Sequence, residues 1–239
     1  MANIIKIDNA DLKRFNRVEK KRKVKTRLER VYFLIVCEGE KTEPNYFKSF
    51  KSNVKSFVYT IETLGEGSNT KDLVKRTIKA RNNSSQKYDS VWAVFDKDGF
   101  SPNNFNSAII LAENNNIKVG WTNEAFELWY LLHFQYRNTS MSREDYKKAL
   151  ENEINSKIQA QSKSKNPRKF QYKKNSKEMY LILEKYGNQK TAISNAEKLI
   201  ANHNCKNYAS HNPCTKLHLL VNELNGNSTE LNEEIKNTE

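Results

Sequence analysis

Two short apolar runs, each ending in a cluster of carboxylates, limit what this chain can fold into. Val31 to Cys37 reads Val-Tyr-Phe-Leu-Ile-Val-Cys and runs into Glu38, Gly39, Glu40, Lys41, Thr42 and Glu43. Val91 to Phe95 reads Val-Trp-Ala-Val-Phe and runs into Asp96, Lys97, Asp98 and Gly99. Both runs are too short for buried helices and are rich in β-branched and aromatic residues, so both read as buried strands. A strand buried on both faces belongs to a mostly parallel sheet covered by helices. In such sheets the binding crevice lies outside the carboxyl ends of the strands, which is where these acids fall.

The rest of the chain fits that frame. Thr42 to Phe50 opens as a helix with Pro44 near its first turn. Phe57 to Leu64 reads as a second strand, and Asn69 or Thr70 caps a helix to about Arg81. Ser101 to Asn106 reads as a loop, Ser107 to Asn116 as a helix and Ile117 to Trp121 as a short strand. Glu124 to Phe134 is the most apolar helix. After it the pattern changes to helices alone, near 143–160, 177–186, 190–203 and 214–225. The expectation is an α/β fold with a small, mostly parallel sheet and a helical C-terminal extension. It divides into a basic arm (1–30), a core (31–134), an extension with a basic loop (135–225) and a flexible acidic tail (226–239).

Charge sets the class of partner. The chain carries 41 Lys and Arg against 28 Asp and Glu, a net charge of +13, and is drawn to polyanions. Lys13 to Arg30 holds ten basic residues against Glu19 and Glu29, with Lys20, Lys21, Arg22 and Lys23 consecutive. Lys157 to Lys177 holds eight and no acid, including Lys163, Lys165, Arg168 and Lys169. With Lys41, these are the candidate nucleic-acid contacts. Solvated helix faces and an exposed loop would carry similar runs. No stretch has the length of a membrane span and no apolar signal core precedes the first strand, so a cytoplasmic location is expected. Three cysteines, Cys37, Cys205 and Cys214, with Cys37 in a buried strand, do not suggest a disulfide framework. His203, Cys205, His211 and Cys214 lack the spacing of a zinc finger, so reduced cysteines and no structural zinc are expected.

The acids carry the chemistry. Asp96 and Asp98 are two apart, and in extended backbone both face one side. Gly99 offers the tight turn such crowding needs, and Glu38 stands beside Gly39. Crowded carboxylates repel one another, and a divalent cation removes that penalty. An oxygen-only set suits Mg²⁺ or Mn²⁺. A cation held by acids in a basic protein points to phosphodiester chemistry.

These residues resemble a known family. Phe33 to Phe47 (Phe-Leu-Ile-Val-Cys-Glu-Gly-Glu-Lys-Thr-Glu-Pro-Asn-Tyr-Phe) is similar to the opening of RloB-type proteins, a branch of the Toprim superfamily. Phe95 to Asp98 resembles the superfamily's paired-aspartate motif. Phe126 to Phe134 and Asn212 to His218 also resemble RloB segments. The resemblance covers roughly residues 31–225. It implies a Rossmann-like Toprim fold, with Glu38 as the glutamate of general acid/base work and Asp96 and Asp98 as Mg²⁺ ligands. Glu43 is then an accessory acid and Glu127 a further member of the metal shell. One departure is Asn123-Glu124-Ala125, where the family usually has Asn-Pro-Cys or similar. His133 and His218 are candidate substrate contacts; a His among large apolar residues is more often structural.

The resemblance also implies a metal-dependent endonuclease on DNA or RNA, in prokaryotic anti-phage defence of the abortive-infection kind, beside an ATPase encoded nearby. No P-loop is present in the sequence, so any ATP hydrolysis falls to that partner. An oligomer stays open. Two other readings compete. One is a catalytically inactive nucleic-acid adaptor. The other is a haloacid-dehalogenase-like phosphatase, whose nucleophile strand Phe95-Asp96-Lys97-Asp98-Gly99 imitates, though Phe100 follows where Thr is usual and two strands precede it.

Overall fold

In the computed structural model, which describes residues 30–51, 57–63 and 69–237, the apolar runs form the middle of one sheet. Strands β1 (Val31–Cys37), β2 (Phe57–Thr63), β3 (Ser90–Asp96), β4 (Lys118–Asn123) and β5 (Cys214–Thr215) lie in the order β2-β1-β3-β4-β5. The first four are mutually parallel, and β5 joins β4 antiparallel. Every residue of β3 is buried, as is every residue of β1 except half-buried Tyr32. That is why neither strand alternates polar and apolar residues. Edge strand β2 exposes Val58 and Thr60.

Helices α1 (Thr42–Ser49), α2 (Thr70–Asn83) and α3 (Pro102–Glu113) make the crossovers between the parallel strands. Asn69 caps α2 by accepting the Asp72 amide, as the sequence suggested. Helix α3 starts five residues earlier than expected. Ser101 caps it through the Asn104 amide and Pro102 takes the first position, so the supposed loop is a cap followed by a helix.

The apolar stretch after β4 gives only a short helix, α4 (Glu127–Leu132), all six residues buried. Then follow α5 (Arg143–Gln161), α6 (Met179–Tyr186), α7 (Gln189–Ala201), a 3₁₀ turn (Tyr208–Ser210) and α8 (Leu217–Leu224). Helix α4 packs on α5 and α7, and α8 packs on β4. One buried apolar cluster runs from Phe33 and Val94 through Trp129 and Leu150 to Leu199 and Leu220. The extension therefore shares the core of the sheet.

Two expectations about the C-terminal third need correction. The extension is not helical throughout, because Cys214–Thr215 supplies the fifth strand. Two residues are too few to show a strand period, and the pairing is fixed by Thr122 and Thr215, whose hydroxyls meet at 3.0 Å. The segment 226–239 is not simply a flexible tail, since α9 occupies Thr229–Asn237. Its anchor is Leu231, 1 % exposed, with the Leu231 amide donating to Ser228 Oγ. One leucine among acids is a signal that composition hides. The segment 162–178 has neither helix nor strand, as its poor periodicity suggested. The strand order reverses direction after β1: β2 lies on one side of it and β3 on the other. The crevice of a doubly wound sheet is expected at that switch point.

Candidate active site

Glu38 follows β1 and Asp96 ends β3, so both carboxylates emerge at the switch point. The Glu38 amide donates to Val94 O at 2.9 Å, extending the ladder by one rung. In return Glu38 Oε2 accepts from the Asp96 amide at 3.4 Å. Asp96 Oδ2 accepts from the Phe126 amide at 3.0 Å, which ties β3 to the turn before α4. Its other oxygen, Oδ1, is buried without a hydrogen-bond partner.

The turn after β3 bends at Asp98, with φ of 30°, and not at Gly99 as the sequence suggested. Aspartate tolerates this region better than most residues. The Asp98 amide donates to Glu124 O at 3.1 Å and the Lys97 amide to Thr122 O at 2.8 Å, so β4 holds the turn. Gly39 matters in another way, since a Cβ there would displace the Glu43 carboxylate that lies over the backbone.

A cavity of about 340 Å³ opens between these elements. Its acidic lining is Glu38, Glu40, Glu43, Asp96, Asp98 and Glu127, and its basic lining is Lys41, Arg143 and Lys174. Thus the five carboxylates assigned from the sequence share one cavity with Lys41. Glu43 and Glu127 are 5 % and 1 % exposed, deep for charged groups.

Arg143 and Lys174 are the residues that sequence reasoning missed. Arg143 is the first residue of α5, behind the cap Ser142. Its Nη2 lies 3.2 Å from Asp98 Oδ2 and 3.8 Å from Asp96 Oδ2, and its Nε lies 3.8 Å from Glu127 Oε2. Lys174 arrives on the irregular segment, which is strapped across α1: Thr42 Oγ1 donates to Lys174 O, and Asn45 Nδ2 to Asn175 O. In the same segment Tyr172 Oη donates to Glu127 Oε1 at 2.9 Å. A lone Arg at a capped helix start gives no signal of its own. Tyr172 and Lys174 were hidden inside a run read only for its charge.

Electrostatics follow the crowding. Burial, then Glu43, push the Glu38 carboxyl up to about 7, against the Asp96 amide, which favours the ionised form. Burial and the neighbouring Glu43, Glu127 and Glu38 carboxylates raise Asp96 well above the usual carboxylate range. Burial, then Glu127, raise Glu43 against its own backbone hydrogen bond and the charges of Lys174 and Arg143. For Arg143, burial works against the charge, but Glu127, Asp98 and Asp96 outweigh it and raise its pKa.

As they stand, no three His, Cys, Asp or Glu side chains among the described residues are arranged to hold a metal ion. The donor set nonetheless fits a hard divalent cation. It is all oxygen, it is crowded, and it includes the buried, unpartnered Asp96 Oδ1.

The remaining site residues lie elsewhere. His133 is 4 % exposed, with Nδ1 against Trp129 O at 2.9 Å, and burial lowers its pKa to about 4. His218 lies on α8, 3 % exposed and likewise lowered by burial to about 4. Neither lines the acidic cavity. Lys163, Lys165, Arg168 and Lys169 are exposed on the irregular segment, outside the cavity. Lys20, Lys21, Arg22 and Lys23 lie outside the described residues. The three cysteines are free, and Cys205 Sγ lies 3.5 Å from His211 Nε2.

No curated protein and no solved structure matches the chain. A family model described as RloB-like protein matches residues 33–224, from within β1 to the end of α8. That span includes every residue lining the acidic cavity, and the chain belongs to the RloB-like family.

Proposed function

We propose that this protein is a metal-dependent nuclease of the Toprim type that hydrolyses phosphodiester bonds in DNA or RNA. Its biological role is that of an effector of anti-phage defence, working in the cytoplasm beside an ATPase encoded nearby. The observation that carries the reading is one cavity, at the switch point of a doubly wound sheet, where buried carboxylates face Lys41, Arg143 and Lys174. Acids without a basic wall would repel a phosphodiester, and a basic wall without acids would bind it and do nothing more.

Asp96, Asp98, Glu43 and Glu127, with Glu38, are the residues that would hold Mg²⁺ or Mn²⁺. When bound, the ion supplies the positive charge that offsets the phosphoryl oxygens and makes a water acidic. The chain's own residues do the rest. Glu38, whose carboxyl is raised by burial and by Glu43 in the metal-free protein, is suited to take the proton of the attacking water. The Asp96 amide at Glu38 Oε2 keeps that carboxyl turned toward β3. Arg143 and Lys174 meet the phosphate from the side of the extension, and Lys41 from the start of α1. Phe126 adds an apolar side chain to the lining of the cavity.

The test is cleavage of labelled DNA and RNA by the purified full chain. It is run with Mg²⁺, with Mn²⁺ and with chelator, alone and with the neighbouring ATPase. Metal-dependent cuts that vanish in Asp96→Asn are expected. Binding of nucleic acid with no cleavage under any of these conditions would overturn the nuclease reading in favour of an adaptor. An acid-stable phosphoryl group trapped on Asp96 would point to the phosphatase instead.

A further inference from the structure

We infer that Arg143 is a resident counter-ion that neutralises Asp96, Asp98 and Glu127 until a divalent cation binds, and that the two cations compete for these carboxylates. The inference rests on the metal-dependent reading above and adds a regulation of the same site.

Three observations carry it. First, the guanidinium is attached loosely. A structural Arg–carboxylate pair is typically a fork of two short hydrogen bonds, about 2.7–2.9 Å each. Here only the contact to Asp98, at 3.2 Å, is of hydrogen-bond length, and those to Asp96 and Glu127 are 3.8 Å. Arg143 offsets charge at three carboxylates and closes a fork with none.

Second, Arg143 sits where its own helix does not favour it. It is the first residue of α5, and a helix N-terminus carries partial positive charge. Ser142 accepts the Asp145 amide and donates to Asp145 Oδ2, so the backbone at this point is fixed by the cap and not by the cation. The carboxylates alone draw the guanidinium inward.

Third, the two buried acids, Asp96 and Glu127, do not depend on Arg143 for their positions, and neither does the backbone of Asp98. Glu127 is held by Tyr172 Oη, Asp96 by the Phe126 amide, and the Asp98 backbone by Glu124 O. Asp96, 9 % exposed, keeps Oδ1 unpartnered even with the guanidinium present. Removing Arg143 therefore leaves these oxygens with more uncompensated charge, which draws a cation more strongly. A displaced guanidinium stays beside the cavity, where its fork suits an incoming phosphate.

The experiment measures Mn²⁺ binding to the full chain by the EPR signal of the free ion, with no nucleic acid present. Wild type, Arg143→Met, Arg143→Gln and Asp96→Asn are compared after thermal melting has shown each to be folded. The more polar Gln variant keeps the test alive if Met does not fold. The expected result is Mn²⁺ affinity about tenfold or more above wild type in the neutral Arg143 variants, together with reduced cleavage. Asp96→Asn should bind more weakly than wild type. Equal or weaker affinity on neutralising Arg143 overturns the inference and leaves the metal-dependent reading intact. No Mn²⁺ binding in wild type or in either Arg143 variant overturns both.

Discussion

The two ends of the sheet each bury a carboxylate, and they treat it in opposite ways. At the amino ends of β3 and β4, Glu223 is 4 % exposed. Its Oε2 accepts from Ser90 Oγ at 2.7 Å and Trp92 Nε1 at 2.8 Å, and its Oε1 meets Lys118 Nζ at 2.6 Å. Every charge and lone-pair direction that matters has a short, direct partner. At the carboxyl ends, Asp96 is buried with one oxygen unpartnered, in the company of Glu38, Glu43 and Glu127. The cavity beside Glu223 is the larger, about 790 Å³ against about 340 Å³. Size therefore does not separate a site from a strut; the balance of donors and acceptors does. A satisfied buried acid holds the fold together, whereas a crowded, unsatisfied one is kept for something the fold itself does not provide.

The largest expected effect breaks this comparison directly. Asp96→Asn keeps an acceptor for the Phe126 amide and removes one of the repelling charges. Cleavage should fall about a thousandfold or more, with metal-free stability unchanged or slightly raised. Mg²⁺ should raise the melting temperature of wild type and not that of the variant. Full cleavage by Asp96→Asn, where wild type needs metal, would sink the assignment.

Glu223→Ala is the counterpart at the other end. It takes the acceptor from partly exposed Lys118 and from Ser90 and Trp92, which keep only their contact with each other, and losing one partner of such a pair costs about 3 kcal/mol. Urea unfolding should show that loss, while cleavage per folded molecule stays at the wild-type level. A stable Glu223→Ala protein would mean that the hydrogen bonds counted there do not carry the stability assigned to them.

How much of this contrast the sequence shows depends on the range of the interactions. The alternation of strands and helices to residue 134 is written in local periodicity, and so is the pairing of Glu38 with Asp96 at two strand ends. Glu43 and Glu127 follow from family resemblance and not from spacing. Arg143 joins the site from 45 residues beyond Asp98 (143 − 98) through tertiary packing that no local pattern encodes. The Tyr172 hydroxyl on Glu127 is equally long-range. The errors were local ones of another kind. Ser101-Pro102 is a helix start read as a loop, Asp98 takes the turn assigned to Gly99, and β5 is too short to have a period. At the amino end, Glu223 falls within the helix expected near 214–225, next to the acidic tail, and nothing in that run announces a buried strut.

A smaller effect sharpens the comparison through pH. Glu38 is raised from 4.5 to about 7, and Glu43 and Asp96 are raised as well. In metal-free protein the folded state then holds more protons than the unfolded state between these values. Stability is fully present below about pH 4.5 and declines as pH rises through 7, the reverse of a salt-bridged carboxylate. The loss over that window should be about 1–3 kcal/mol, discounted for the partial exposure of Glu38. Chemical denaturation at intervals from pH 4.5 to 7.5 in the presence of chelator measures it. Glu38→Gln should flatten the slope. A wild-type slope of the opposite sign would mean that the acids are already compensated, as Glu223 is.

The smallest expected effect concerns residues at neither end. Lys163, Lys165, Arg168 and Lys169 are exposed on the segment that, a few residues later, carries Tyr172 and Lys174 to the cavity. If the first half of that segment tracks the substrate backbone, replacing all four with Ser removes phosphate contacts without touching the carboxylates. Each lost contact reduces the slope of log affinity against log salt by about 0.7–0.9. Affinity for a short DNA or RNA should fall severalfold at low salt and hardly at all at high salt. Cleavage at saturating substrate should persist, because Arg143, Lys174 and the acids are unchanged. Asn155, whose side chain accepts the Phe170 amide and donates to Phe170 O, holds the strap in place independently of the four residues, so folding is not at risk. Fluorescence anisotropy across a salt series reads the slope. An unchanged slope reduces these four side chains to solvated surface and confines substrate contact to the cavity rim.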